Sequence, residues 1–363
     1  MASYERYTLK SGEKRWRVYW QQPDHRQRNK SGFRRKIDAE DWIARNVTTA
    51  INDGAYVDPQ GGRTLIRGLG EQWIAAHKSV WKPSHEYSIE SSWKAHVCPK
   101  WGDRRLADVT HSEVQRWVND LASERSASVV LRAFGILRNI YQTAVKDGLI
   151  VRVPVDDIQL PRKQRRQHVY LTVEQLHRLA DCSGAYKPLI LVLGLCGLRW
   201  GEATALTVKD IDFEKNRIHV NKSVSQVGGR FEVSTPKNHK NRDVPMFQPV
   251  RDALNHAVKG KRPDDLVFVG PNGGYVIGQS IGITRHGWYL NALKEACVPK
   301  LRPHDLRHTA ASIAVHAGAN VKAVQRMLGH SSAAMTLDVY ADLFEDDLDV
   351  LATKVSNAIS GVF

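Results

Sequence analysis

The sequence predicts an α+β protein of several domains. These are a small N-terminal β-sheet with one helix, an all-helical unit, and a mainly helical C-terminal half that carries a small antiparallel sheet. Three observations predict this. The 363 residues make two or three domains, at roughly 100–200 residues each. The spacing of apolar residues changes along the chain: alternating near Trp16, every three or four residues from Thr64 to Gly148, and both beyond residue 169. Stretches of turn-forming or basic residues interrupt these patterns, which divides the chain into 1–60, 64–152, a linker at 153–168, and 169–363. With 42% hydrophobic and 25% charged residues, the composition suits a folded protein and not a disordered one.

The first segment is strongly basic. From Met1 to Ile37 there are eleven Lys/Arg against three acids, with Tyr7, Trp16, Tyr19, Trp20 and Phe33 between them. Arg15-Trp16-Arg17-Val18-Tyr19-Trp20 alternates basic or polar with apolar, the period of a strand with one apolar face. Pro23-Asp24 predicts a turn, and a second strand is expected over 26–34. Asp38 to Ile43 predicts a helix start with acids in its first turn. Arg15, Arg17, Arg34, Arg35 and Lys36 are the candidate DNA contacts here. A solvated basic face over a small Trp/Tyr core is the alternative. Asn52-Asp53-Gly54 and Gln60-Gly61-Gly62 predict the boundary.

The second segment is helical. Leu65, Leu69, Trp73 and Ala76 recur at helical spacing, Thr110-His-Ser-Glu113 is a capping box, and the run from Val129 to Val145 ends at Gly148. Its tryptophans are expected to pack the core. The linker holds Pro154, Pro161 and the basic residues Arg162, Lys163, Arg165 and Arg166, which suit either a phosphate backbone or a soluble tether.

The C-terminal half carries the chemistry. Thr172-Val-Glu-Gln175 is a second capping box, and an apolar helix from Leu189 to Cys196 stops at Gly197. Arg199 follows at once. Arginine keeps its charge and is costly to bury alone. It either pairs with Glu202 as a structural ion pair or points into a cleft and grips an anion. Arg217–Val220 and Arg230–Val233 are read as the strands flanking a Gly228-Gly229 hairpin. Lys237 sits in the polar turn that follows, ahead of Arg242-Asp-Val-Pro245. Pro303 suggests a helix start, which places His304 and Arg307 on one face. A titrating group beside a bidentate cation suits a phosphodiester. His304 and His308 are spaced like a metal pair, but with Asp305 between and no third ligand in sight, metal is not expected. Asn320 caps a helix that Gly329 ends, His330-Ser331-Ser332 follows, and Met335 to Tyr340 begins another helical stretch.

Several classes are excluded or disfavoured. The net charge of +15 and pI near 9.7 favour a polyanionic partner, most often nucleic acid. Cys98, Cys182, Cys196 and Cys297 form no CxxC pair, which argues against a disulfide scaffold or cysteine zinc site and fits a reducing cytoplasm. The longest apolar run, Leu189 to Leu198, is far below the ~20 residues of a membrane span. MASYERYTLK lacks the apolar core of a secretory signal, so neither membrane nor export is expected.

Together these segments resemble the tyrosine-type site-specific recombinases of the phage integrase group. The resemblance rests on Gly197-Leu-Arg199-Trp-Gly-Glu202 with Leu206 and Asp210-Ile-Asp212, then Thr235-Pro-Lys237 with Arg242 and Val244-Pro245. It continues through His304-Asp-Leu-Arg307-His308-Thr309, Leu328-Gly-His330-Ser331-Ser332 and Thr336-Leu-Asp-Val-Tyr340. The order of these boxes, over most of 170–345, is specific where any one of them is not. Residues 64–152 resemble that family's core-site-binding domain. Residues 1–60 resemble the three-stranded arm-site-binding domain of its heterobivalent members, on Trp16 to Trp20, Gly32-Phe33, Ala39 and Trp42.

The resemblance implies a mechanism. Tyr340 would attack a phosphodiester to form a 3′-phosphotyrosyl bond, Arg199 and Arg307 would hold the phosphate, and His304 would be the general base. Lys237 would protonate the leaving 5′-oxygen, His330 would donate a hydrogen bond to the phosphate, and Glu202 would support them. No cofactor is implied. Partners would be double-stranded DNA at core-type and arm-type sites, and further copies of the chain in a homotetramer. A host DNA-bending protein and an excision factor are the further candidates. The acidic tail after Tyr340 would pack on its own domain or on a neighbouring protomer. A non-catalytic DNA-binding protein on the same fold is the alternative from another class, disfavoured because all six catalytic-type residues are present. A type IB topoisomerase is disfavoured by the basic N-terminal segment and the His330 box.

Overall fold

The computed structural model describes residues 2–21, 27–48, 61–163, 169–235, 241–278 and 287–340, with 353, 355–357 and 360. The expected Pro23-Asp24 turn, the 52–60 boundary, Arg165, Arg166, Lys237 and the acidic tail lie outside them. The fold is mixed, mostly helix with small antiparallel sheets, and divides into two compact units, residues 1–164 and 165–363.

The first unit begins with an antiparallel sheet of β1 (Ser3–Thr8), β2 (Lys14–Gln21) and β3 (Gln27–Phe33), in that order. β1 is a strand that the residue pattern alone did not mark. Alternation along β2 turns Val18 and Trp20 inward, where they are buried with Ala39 and Ile43 of α1 (Lys36–Ile43). Burying each such large side chain stabilises by about 1.5–3 kcal/mol. The helix starts two residues before the expected Asp38. The Asp38 carboxylate accepts from the Arg35 backbone N–H at 3.2 Å and from its guanidinium at 2.7 Å.

A separate apolar cluster organises the helices α2 (Ile66–His77), α3 (Pro83–Ser92), α4 (His111–Glu124) and α5 (Ala127–Lys146). Trp73, Trp93, Trp101 and Trp117 are buried in it, as the sequence implied. The Thr110 capping box forms: its hydroxyl accepts from Glu113 N–H at 3.4 Å, and the Glu113 carboxylate accepts from Thr110 N–H at 3.0 Å.

The second unit packs α6 (Val173–Asp181), α7 (Lys187–Leu191), α8 (Trp200–Thr204), α9 (Gln248–Val258), α10 (Trp288–Glu295), α11 (Asp305–His316) and α12 (Val321–Leu328) around one core. The Thr172 capping box opens α6, with Thr172 N–H donating to Gln175 at 2.9 Å. α7 runs on through a wide turn, Val192–Cys196, and Gly197 ends it in the left-handed conformation, φ 68°.

Two expectations are corrected here. Arg217–Val220 (β5) does not pair with Arg230–Ser234 (β7). β5 lies between β4 (Ile211–Asp212) and β8 (Arg242–Pro245), and the Gly228-Gly229 hairpin joins β6 (Ser223–Val227) to β7. A two-residue turn pairs the residues immediately beside it, here Val227 with Arg230, so the strand ending at Val220 is too far upstream to be the partner. Pro303 is also not the first helical residue. It stands before the N-cap, His304, and Asp305 opens α11 while its carboxylate accepts from Arg302 N–H at 2.8 Å.

Candidate active site

The site forms where the C-terminal end of α12 meets three arginines. A helix leaves its last carbonyls without intrahelical donors and carries partial negative charge there. Arg242 of β8 donates its Nε to Met327 O at 3.2 Å, Arg307 of α11 donates to Leu328 O, and Arg199 donates to Gly329 O at 3.5 Å. Arg307 also donates to Gly197 O, so this one buried guanidinium holds two helix ends together. Those ends need glycine. Gly197 and Gly329 both have positive φ, and a Cβ on Gly329 would lie 2.9 Å from Arg242 Cδ.

Glu202 balances the cluster. It is fully buried, accepts from Arg199 N–H at 2.9 Å and Arg199 Nη1 at 2.8 Å, and takes a two-pronged contact from Arg242 at 3.0 and 2.6 Å. Burial alone would raise its pKa. The Arg242 hydrogen bonds and charge, with those of Arg199, outweigh burial and hold it at about 2. Arg199 therefore forms the structural pair, and it is the most open cation of the three, its side chain 22% exposed against 11% for Arg242. Two guanidiniums on one carboxylate, with Arg307 at the same helix end, leave a surplus of positive charge, which suits an anion with directional oxygens.

His330 follows Gly329. Its Nδ1 lies 2.9 Å from Thr336 Oγ1. Burial first, then the charges of Arg307, Arg199, Arg242 and His304, push its pKa down to about 4. The imidazole is thus neutral at pH 7. His304 is exposed at the N-cap of α11, its ring 5.3 Å from that of buried His308. No cluster of three or more metal-ligating side chains occurs among the described residues. Tyr340 ends α13 (Ala333–Tyr340), one helical turn beyond Thr336.

The structure thus gathers Arg199, Glu202, Arg307 and His330, with His304 charge-coupled to His330. Lys237 lies outside the described residues. Two residues to which the sequence reading gave no role belong to the constellation. Arg242 lies 40 residues from Glu202, and nothing local to it signals a shared carboxylate. In the sequence Thr336 is marked only as the first residue of the box that ends in Tyr340.

The candidate DNA contacts of the first unit are built differently. Arg15 pairs with Glu13 at 2.7 Å, and Arg17 donates to the Tyr19 hydroxyl at 3.2 Å and lies over the Tyr7 ring at 4.8 Å. By alternation both are on the sheet face opposite α1. Arg34 is exposed, Arg35 pairs with Asp38, and Lys36 pairs with Glu40 at 3.1 Å. Arg162 and Lys163 are exposed.

Comparison with known proteins identifies the family and the fold. The phage integrase family model matches residues 169–346, and the phage integrase central domain model matches 67–160. The prophage phiRv2 integrase of Mycobacterium tuberculosis is 28% identical over 339 residues, covering 89% of this chain and 88% of its own. The ICEBs1 integrase of Bacillus subtilis is 24% identical over 293 residues, covering 77% and 79%. Among solved structures, the Tn1549 transposon integrase in complex with transposon right end DNA superposes with TM-score 0.67 at 23% identity, over 80% of this chain and 100% of that one. A lambda integrase tetramer bound to a Holliday junction superposes with TM-score 0.60 at 15% identity, over 90% and 96%.

Proposed function

The chain belongs to the phage integrase family and is a site-specific DNA recombinase; we propose that it cuts and rejoins DNA through Tyr340, with the arginine cluster at the end of α12 as its phosphate site. The observation that carries this is that Arg199, Arg307 and the His330 backbone all bond to the end of α12, while the His330 ring bonds to Thr336, one helical turn before Tyr340. The tyrosine oxygen attacks phosphorus, its proton passes to His304, and the bond to the 5′-oxygen breaks as Lys237 supplies a proton there. The product is a 3′-phosphotyrosyl bond and a free 5′-hydroxyl. Arg199, Arg307 and neutral His330 stabilise the charge that builds on the non-bridging oxygens, each donor worth roughly 2.7–4 kcal/mol. Tyrosine ionises near pH 10 in water, so it needs such a base and cationic field at neutral pH. The phosphotyrosyl bond conserves the energy of the broken phosphodiester, and resealing reverses the step without ATP or metal.

In this reading residues 1–60 bind arm-type sites, 64–152 bind the core site, 153–168 link them, and 169–363 are catalytic. Double-stranded DNA is the substrate, and the working assembly is a homotetramer, helped by a host bending protein and an excision factor. It acts in the bacterial cytoplasm or nucleoid. No described helix is long and apolar enough to cross a membrane.

Covalent trapping tests the chemistry. The protein is incubated with a fragment library of phage and host DNA, denatured in detergent, and the attached DNA sequenced. Adducts at one short inverted-repeat site, absent with Tyr340→Phe, are expected. Adducts that persist in Tyr340→Phe would exclude it as nucleophile. Tight binding with no adduct would favour a DNA-binding role without catalysis.

A further inference from the structure

We propose that Thr336 is a positioning residue that donates its hydroxyl hydrogen to His330 Nδ1 and so fixes His330 as the tautomer carrying its proton on Nε2. The proposal rests on the reading of His330 as a phosphate donor. Three observations lead to it.

The hydroxyl is fully buried, and among the described residues its hydrogen-bond partner is His330 Nδ1 at 2.9 Å. A buried O–H must find an acceptor or bear the cost of going unpaired. A helical threonine often donates to the carbonyl four residues back, as Thr143 does to Asn139 O at 3.0 Å, but Thr336 makes no such bond. Nδ1 is then the acceptor, and it accepts only when it carries no hydrogen.

The imidazole is held neutral, so one ring nitrogen alone bears a proton at physiological pH. Among the described residues, the charged groups that act on it are Arg307 of α11, Arg199 ahead of α8, Arg242 of β8 and His304, with Glu202 bridging two of the arginines. With Nδ1 occupied by the threonine, the proton resides on Nε2.

Thr336 also sits one turn before Tyr340 on the same helix. Residues four apart lie on one face of a helix. The hydrogen bond therefore ties the helix of the nucleophile to the loop that carries His330, and sets the donor and the helix together.

The test compares Thr336→Val, which keeps the shape without the hydroxyl, with Thr336→Ser, which keeps the hydroxyl. In the full chain labelled with 15N-histidine, long-range proton–nitrogen spectra report the tautomer of His330, assigned with His330→Gln. The proton on Nε2 is expected in the wild type and in Thr336→Ser, and a shift toward Nδ1 in Thr336→Val. An unchanged tautomer in Thr336→Val, or a proton on Nδ1 in the wild type, overturns the proposal. Cleavage is read on the core-site duplex recovered by trapping. Removing one pre-organised donor costs roughly 10²–10³ in rate, and a partly displaced tautomer costs less, so Thr336→Val should cleave about 10- to 100-fold more slowly. DNA affinity should be unchanged and Thr336→Ser should restore most of the rate. Equal losses in both variants would indicate packing alone. If His330→Gln cleaves like the wild type, the reading of His330 itself fails. If it is slow while Thr336→Val is not, only the role of Thr336 fails.

Discussion

The two basic regions of this protein hold their charge in opposite ways. In the N-terminal segment several cations have a local partner: Arg15 has Glu13, Arg35 has Asp38, and Lys36 has Glu40. Several of these side chains are well exposed, and exposed pairs contribute about 0–1 kcal/mol and weaken in salt. At the end of α12 two of three arginines, Arg199 and Arg242, share one buried carboxylate, and all three are aimed by backbone carbonyls. A solvated cation can follow a phosphate backbone with little geometric demand. A guanidinium clamped at both ends presents its donors in one direction, as a transition state requires. The difference teaches that net charge locates a DNA-binding protein, but only fixed charge marks where chemistry occurs.

The sharpest way to break this comparison is Arg199→Lys. Charge is conserved and the fork is lost. Cleavage of the trapped core site should fall by roughly 10²–10³, with DNA affinity and thermal stability little changed. Full activity would mean that charge alone suffices.

Arg242→Gln tests whether the shared carboxylate matters. With Arg242 gone, Glu202 is left to Arg199, whose charge it then cancels. Breaking a buried ion pair from one side costs roughly 3–5 kcal/mol, so both melting temperature and cleavage should drop. Adding Glu202→Gln removes the stranded charge and should recover part of the stability. No recovery in the double variant would show that Arg242 acts through α12 alone.

Acid should destabilise this unit in two stages. His330 is held near 4 against its usual 6.5, so the unfolded chain binds the proton more readily and stability falls as pH drops from about 6.5 to 4. Glu202 is held near 2 against its usual 4.5, so its contribution is present above pH 4.5 and is lost as pH falls toward 2. Urea unfolding across this range, followed in the second unit, should show the upper stage disappear in His330→Gln.

The smallest effect is expected on the sheet. Arg17→Ala should leave core-site cleavage unchanged and lower the salt dependence of arm-site binding by about one phosphate contact, a slope change near 0.9. A large loss of cleavage would place this sheet in the catalytic machinery.

Short-range features were legible because the interacting residues are close in sequence. The Thr110 and Thr172 capping boxes, the Asn320 cap and the glycine stops at 197 and 329 all close within a turn or so of chain. Arg199, His304 and Arg307 drew attention by residue type and position, but Lys237 and Tyr340 were legible only through resemblance, since a lone tyrosine or lysine carries no local signal. The β5 pairing was misread because the Gly228-Gly229 turn was assigned to the wrong upstream strand. Arg242 and Thr336 had no assigned role, because the role of each is a contact with a residue on another element.

The sequence by itself determined the helix starts and stops, the apolar faces and the excess of positive charge, since each follows from residue type and spacing. The tertiary structure alone decided which charges meet. Arg242 reaches Met327 across 85 residues, Arg307 reaches Gly197 across 110, and Arg199 reaches Gly329 across 130. The physical reason is range: a cap is satisfied by its own turn of helix, whereas the exposed carbonyls at a helix end take whichever donors the packed core delivers to them.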